Sequence, residues 1–231
     1  MQPVIRTLPL AVLLSAALGL ASVAQEKPND ATLGAKPPEG AVVLLDANGL
    51  HGWVKRDGKT PADWPAADGA VTVGRGDIQT QQVFGDFKLH LEFNVPYMPQ
   101  ARGQGRGNSG VYLGGIHELQ VLDSYGLKSQ NNDCGAIYQQ ITPTVNACKP
   151  PLQWQTYDVT FHKAVLDAQG QVARKARVTV IHNGIKTIDD AEIRPTPGGI
   201  GDQPGRDGPI LLQDHGNAVQ YRNIWIQPIS S

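Results

Sequence analysis

The sequence predicts an all-β protein built as two antiparallel sheets packed face to face. Three observations lead there: period-two alternation recurs after residue 40, helical periodicity does not, and Gly and Pro are abundant. Of 231 residues, 26 are Gly and 17 are Pro. With no repeat period, that density marks many turns between short strands. The 20 Lys+Arg against 21 Asp+Glu leave a formal net charge of −1, and no basic cluster stands out, so an electrostatic nucleic-acid binder is excluded. An apolar fraction of 40% is too high for a disordered chain, and this length buries one core.

The first 24 residues read as a signal peptide. Arg6 precedes an apolar, Ala/Leu-rich run over 8–23, and Ser22 and Ala24 place small residues at the −3 and −1 positions of a cleavage site. The run is too short and too Ala-rich for a spanning helix, and no cysteine near Ala24 offers a lipid anchor. A periplasmic or secreted protein is expected. Residues 25–40 are polar and Pro-containing, which suits an exposed lead-in, and 41–231 form the domain.

Along that domain the strands announce themselves by parity. In DFKLHLEFNV, Phe87, Leu89, Leu91 and Phe93 share one face, and Lys88, His90, Glu92 and Asn94 the other. The glycine-rich QARGQGRGNSG holds Gly103, Gly105, Gly107 and Gly110, but neither a helix pattern nor a Gly-Lys-Ser/Thr follows, so a mobile loop is the reading, not a phosphate cradle. HELQVLD sets Leu119 and Val121 against Glu118 and Gln120, and YDVTFHK alternates likewise. RVTVIHNGIKTI carries Asn183-Gly184 between two strand-like runs, a strong hairpin signal. TPGGIGDQPGRDGP is a loop, and PILLQDH and VQYRNIWIQPI close the chain as strands.

Cys134 and Cys148 are the only cysteines and lie in loop-like sequence. In an exported chain they predict a disulfide, worth ~3 kcal/mol in the chain-entropy picture. Neither has a Cys or His partner at zinc-finger spacing. The pairs His117/Asp123 and His182/Asp189 are isolated, which leaves room only for a loosely held divalent cation bound together with substrate.

The segment richest in chemistry is His117 to Asp123. Asp123 has the wrong parity to join Glu118 and Gln120, so the sequence predicts a single β-bulge that brings it to their face. This pattern resembles the E-x-D-x-x-E strand of laminarinase-type endoglucanases, but here it reads E-x-Q-x-x-D. The central carboxylate is missing, which argues against a conventional endoglucanase with a nucleophile and an acid/base about 5 Å apart.

The chain as a whole resembles the 3-keto-disaccharide hydrolase family. The matching segments run in order from Leu45-Asp46 and Gly49-Leu50-x-Gly52-Trp53 through GDFKLHLEFNV, NSGVYL and HELQVLDSYG. CGAIYQQITPTVNACKPPLQWQTYDV, the HNG hairpin, GPILLQDHG and YRNIWIQPI follow. Pro151-Leu152-Gln153-Trp154 departs from the pattern, where a Gly and an acidic residue would precede the Trp. The resemblance implies a concanavalin A-like sandwich (jelly roll) and an exported enzyme that cleaves glycosides whose sugar carries a ketone at carbon 3. Such a ketone acidifies the proton on carbon 2. A base then removes that proton, the group at carbon 1 leaves, and water adds back. A separate sugar 3-oxidoreductase must supply the ketone, because this chain has no dinucleotide fingerprint.

Parity and the matched motifs nominate the site. Glu118 is the expected base, with Asp123 assisting it or binding a cation. Gln120 and Gln213 are expected to hydrogen-bond sugar hydroxyls, and His215 to act as acid or ketone polariser. His90 and Glu92 are expected in the same cleft, with Tyr138 or Trp154 stacked on the sugar and Lys149 near the enolate. The rival from another class is a non-catalytic carbohydrate-binding module, whose binding face would carry aromatics and Asn instead of Glu, Asp and His.

Overall fold

A computed structural model of the chain describes residues 27–201 and 203–229. The signal-peptide reading lies outside the described residues. In chain order the strands are β1 (Val42–Asp46), β2 (Gly49–Leu50), β3 (Trp53–Lys55), β4 (Ala66–Ala67), β5 (Ala70–Thr72), β6 (Ile78–Thr80), β7 (Phe87–Asn94) and β8 (Asn108–Leu113). There follow β9 (His117–Leu122), β10 (Gln155–His162), β11 (Val165–Leu166), β12 (Val172–Arg174), β13 (Ala176–His182), β14 (Ile185–Ile193), β15 (Leu211–Leu212) and β16 (Gln220–Pro228). Among the described residues no helix is long and apolar enough to cross a membrane.

The strands pair antiparallel into the two expected sheets. The larger runs β14-β13-β10-β7-β16-β1-β2, with β5 also on β16 and β4 on β5. The smaller runs β3-β6-β15-β8-β9, and β11-β12 make a separate ribbon. Period two decides which side chains meet. Phe87, Leu89, Leu91 and Phe93 of the larger sheet join Val111, Leu113, Leu119 and Val121 of the smaller one in a single buried cluster. Phe93 packs on Tyr157 at 4.6 Å between ring centroids and Phe87 on Phe161 at 5.0 Å. Each such side chain contributes roughly 1.5–3 kcal/mol of burial. The hairpin between β13 and β14 turns on Asn183 and Gly184, both at positive φ (49° and 78°), as a two-residue loop of that hand requires.

The lead-in keeps most of its residues exposed but is tied across the outer face of the larger sheet. Asn29 N donates to Asn183 O, Gly34 N donates to Glu92 Oε1 at 2.6 Å, and Asn223 Nδ2 and Trp225 Nε1 donate to Ala35 O. Beneath it His90 and Glu92 are wholly buried. His90 bonds Asp158 at 2.7 Å and stacks on Trp225, while Glu92 accepts from Arg222 at 2.6 Å and from Asn223 at 3.0 Å. Burial alone would raise the Glu92 pKa, but hydrogen bonds from His90, Asn223, Gly34 and Arg222 outweigh it and bring it down to about 2. Burial likewise opposes the charged form of His90, yet Asp158 and Glu92 raise its pKa above the ordinary value.

The expected disulfide is corrected: Cys134 and Cys148 are free, buried thiols. The two thiols lie within hydrogen-bond reach of each other, and each has a further partner. The Cys134 thiol lies 3.2 Å from the Tyr157 hydroxyl, and the Cys148 thiol donates to the Leu122 and Lys149 carbonyls. In protein kept from oxidants, thiol titration should count two groups per chain after denaturation and none in the native state. A native-state reaction would place at least one sulfur at the surface.

Glu92 gives the fold a pH signature. Its folded pKa of about 2 lies below the ordinary 4.5, so its contribution is complete above about pH 4.5 and is lost as pH falls through 2. Glu92→Gln removes the counter-charge of Arg222 and His90 and should cost roughly 2–4 kcal/mol at pH 6. Urea midpoints measured from pH 6 down to 3 should show the gap between wild type and variant narrowing below pH 4.5.

Candidate active site

The outer face of the smaller sheet follows from the same alternation that builds the core. On β8, Val111 and Leu113 point inward, so Asn108, Gly110 and Tyr112 share the other side. On β9, Leu119 and Val121 point inward, which turns Glu118 and Gln120 outward. The pairing is unbroken from Asn108↔Leu122 to Leu113↔His117, placing Tyr112 opposite Glu118 and Gly110 opposite Gln120. Gly110 is required here: a Cβ on it would sit 2.6 Å from Glu118 Oε1.

Loops raise walls around that face and enclose a cavity of about 210 Å³. Glu118, Gln120, Tyr112 and Asn108 come from the sheet, and Gln213 and His215 from the segment after β15. Tyr138, Pro197, Gly198 and Gln104 complete the lining. The glycine-rich loop, expected to be mobile, forms a 3-10 turn at Gly103–Gly105, and Gln104 within it accepts from Gln120 Nε2 at 2.9 Å. Gln213 is fixed by its backbone: its N–H donates to Gly110 O, and its carbonyl accepts from Ser109 Oγ.

Glu118 is 3% exposed. Burial raises its pKa to about 7, a hydrogen bond with Tyr112 offsets part of the rise, and the charge of Asp77 adds to it. The Tyr112 hydroxyl is in turn pushed up by burial and then by the Glu118 charge. Its one proton is shared between Pro197 O at 3.1 Å and the Glu118 carboxyl, and it accepts from Gln213 Nε2 at 3.2 Å. Two buried acceptors among the lining residues, Asn108 Oδ1 and Gln213 Oε1, have no partner. An unpaired buried carbonyl oxygen costs free energy until something donates to it, so both oxygens are open to a donor from the cavity.

The structure brings together Glu118, Gln120, Gln213, His215 and Tyr138 and leaves the other nominated residues elsewhere. Gln120 lines the cavity, but its Nε2 is held by Gln104 and Asn132 and its Oε1 by Val121 N, so it ties the loop to the strand. Asp123 does not join the face, because the predicted bulge is absent. It lies just beyond β9, ion-paired with Arg106 at 3.0 Å. His90 and Glu92 sit on the outer face of the other sheet, across the whole core from Glu118. Lys149 and Trp154 are on that side too: Lys149 pairs with Asp30 beneath the lead-in, and Trp154 stacks under the Arg222 guanidinium at 4.1 Å. Sequence reasoning missed Asn108 and Tyr112, although the parity of NSGVYL already puts them beside Gly110. For Gln104 and Pro197 nothing in the local pattern signals a role. Among the described residues no three His, Cys, Asp or Glu side chains converge as metal ligands.

The fold and the site together define an antiparallel β-sandwich protein with a buried carboxyl in a polar cleft on one outer face. More narrowly, residues 40–227 match the 3-keto-alpha-glucoside-1,2-lyase-like domain, and the chain belongs to that family of 3-keto-disaccharide hydrolases. A crystal structure of a candidate glycosyl hydrolase from Parabacteroides distasonis is 37% identical, with 83% of this chain and 85% of that chain covered and a TM-score of 0.77. Two more from the same organism, at 20% and 23% identity, share the fold with TM-scores of 0.59 and 0.52. They cover 83% and 78% of this chain and 95% and 100% of their own. No curated protein matches significantly.

Gly110→Ala tests the packing of the site. The backbone there is unstrained and the atom in the way is the end of a flexible side chain, so the fold should survive at a cost of about 1–3 kcal/mol. Glu118 should be displaced and its titration near pH 7 lost. A thermal melt together with a carboxyl titration separates the two effects, and an unmoved titration would show that Gly110 does not set the position of Glu118.

Proposed function

We propose that this protein cleaves 3-keto-glycosides by proton abstraction, elimination and hydration, with Glu118 as the base. The observation that carries the reading is a single buried carboxyl, poised to titrate near neutrality, in a cavity with two unpartnered acceptors. Two-carboxylate glycoside hydrolysis needs a second acid within about 5–10 Å on the opposite side of the bond. Among the described residues no other carboxylate lines this cavity, and nearby Asp77 is held by Arg56 and the Asp214 amide. A lone base is sufficient when the substrate brings its own activation. With a ketone at carbon 3, Glu118 takes the proton from carbon 2 and the electron pair moves into the enolate. The enolate then expels the group at carbon 1, which leaves with a proton from His215 or water. Water adds to carbon 1 of the resulting enone and passes its proton to His215 or solvent, and Glu118, whose carboxyl proton has exchanged with solvent, protonates carbon 2, which restores the carboxylate. Asn108 Oδ1 and Gln213 Oε1 accept from sugar hydroxyls, and half-buried Tyr138 flanks the ring.

The family membership and the 37% identical structure support a glycoside-acting enzyme. Oxidation at carbon 3 belongs to a separate sugar oxidoreductase. The N-terminal pattern of residues 1–24 supports export to the periplasm or medium.

Glu118→Gln should keep fold and sugar binding and lose roughly 10²–10⁴-fold in rate. Wild-type kcat/KM should rise with pH and level off above an apparent pKa of about 7, because only the carboxylate can take the proton. Turnover in deuterated water should put deuterium at carbon 2 of the released sugar faster than enzyme-free buffer does. Rapid cleavage with unlabelled carbon 2 would replace elimination by direct displacement.

A further inference from the structure

Behind the cavity, Arg56 follows β3 and Asp77 precedes β6, and the two side chains form an ion pair at 2.6 Å. Each is also bonded to the backbone of a different cavity wall. Arg56 Nη2 donates to Gly199 O at 2.6 Å, next to the wall made by Pro197 and Gly198. Asp77 Oδ1 accepts from Asp214 N at 2.9 Å, between the lining residues Gln213 and His215. Asp214 closes the circuit by accepting from Gly76 N at 2.8 Å. The first wall is pressed against the site with no slack, since a Cβ on Gly198 would lie 2.5 Å from the Tyr112 hydroxyl.

From this circuit we infer that Arg56 and Asp77 are positioning residues for the proposed reaction, clamping both walls against Tyr112 and setting the field in which Glu118 ionises. The inference rests on Glu118 being the base. Among the described residues the titratable and charged groups around Glu118 are Tyr112 on β8, Tyr138 and His215 in the cavity lining, Tyr221 on β16 and the Asp77–Arg56 pair. Asp77 raises the Glu118 pKa. At Tyr112 the two members of the pair act in opposite senses, Asp77 raising and Arg56 lowering. The guanidinium is suited to the task because its planar fork serves a carboxylate and a carbonyl at once, whereas a lysine ammonium supplies the charge without the fork.

The test uses three variants and two readouts. The first is a carbon-13 NMR titration of the Glu118 carboxyl, assigned with Glu118→Gln, which needs no substrate. Asp77→Asn keeps the shape and the acceptor for Asp214 N but removes the charge, so the midpoint should fall. Arg56→Ala leaves Asp77 uncompensated, so the midpoint should rise. Each shift should be on the order of half a pH unit. Arg56→Lys should hold the midpoint near wild type. The second readout is steady-state cleavage of a 3-keto-glucoside, in which Arg56→Lys should raise KM several-fold with kcat largely kept, since the Gly199 clamp is lost. Thermal melts confirm that each variant is folded. Shifts of the same sign in Asp77→Asn and Arg56→Ala, or none in either, would overturn the inference, as would a wild-type KM in Arg56→Lys. Opposite shifts in these two variants, together with a wild-type protein that leaves 3-keto-glucosides intact, would support the field effect and reject the substrate reading.

Discussion

The constraint on which the site depends is the unbroken pairing of β8 with β9. Burying Val111, Leu113, Leu119 and Val121 against the larger sheet leaves the alternate residues of both strands no choice of side. Tyr112 and Glu118 therefore face each other outside the core, and Gly110 leaves the room that the carboxyl occupies. A shift of one residue in this register would send Glu118 into the apolar core and bring Leu119 out. The hydrophobic energy of the sandwich thus holds the geometry of the candidate site in place, and the loops only have to wall it in.

Two buried glutamates show how the same fold makes opposite use of one side chain. Glu92 is surrounded by donors: a backbone N–H, an arginine, an asparagine and a histidine. It stays ionised down to about pH 2. Glu118 is also buried but has only the Tyr112 hydroxyl to oppose desolvation, with the negative Asp77 nearby, and it titrates near 7. Heavier desolvation of Glu118 and its shortage of donors together separate the two. Glu92 anchors the lead-in to the larger sheet. Glu118 is left able to exchange a proton at neutral pH, which is what a general base requires.

The two outer faces of the sandwich also divide the labour. One is closed by the lead-in and its hydrogen bonds to Glu92, Asn183, Asn223 and Trp225. The other is left open between the walls at residues 104, 138, 197–198 and 213–215. Buried polar atoms without a partner occur on both faces, Asn94 Oδ1 and Asp158 Oδ2 on the closed one and Asn108 Oδ1 and Gln213 Oε1 on the open one, but it is the last two that line the cavity.

Local chemistry determined the strands, the hairpin at Asn183-Gly184 and the outward direction of Glu118, because each rests on short-range periodicity or on a turn that demands positive φ. The same parity also made His90 and Glu92 look like cleft residues. A sandwich has two outer faces with identical alternation, and only the packing of the sheets decides which face a polar residue joins. Asp123 was misplaced because a bulge depends on how two strands meet, and the β8–β9 register admits none. Lys149 and Trp154 went to the lead-in side for the same long-range reason. Cys134 and Cys148 do meet, as their pairing in the sequence suggested, but as hydrogen-bonded thiols in the core and not as a disulfide. What the sequence determined was which residues leave the core. Only the tertiary structure decided which of them meet, since that depends on contacts between segments a hundred residues apart.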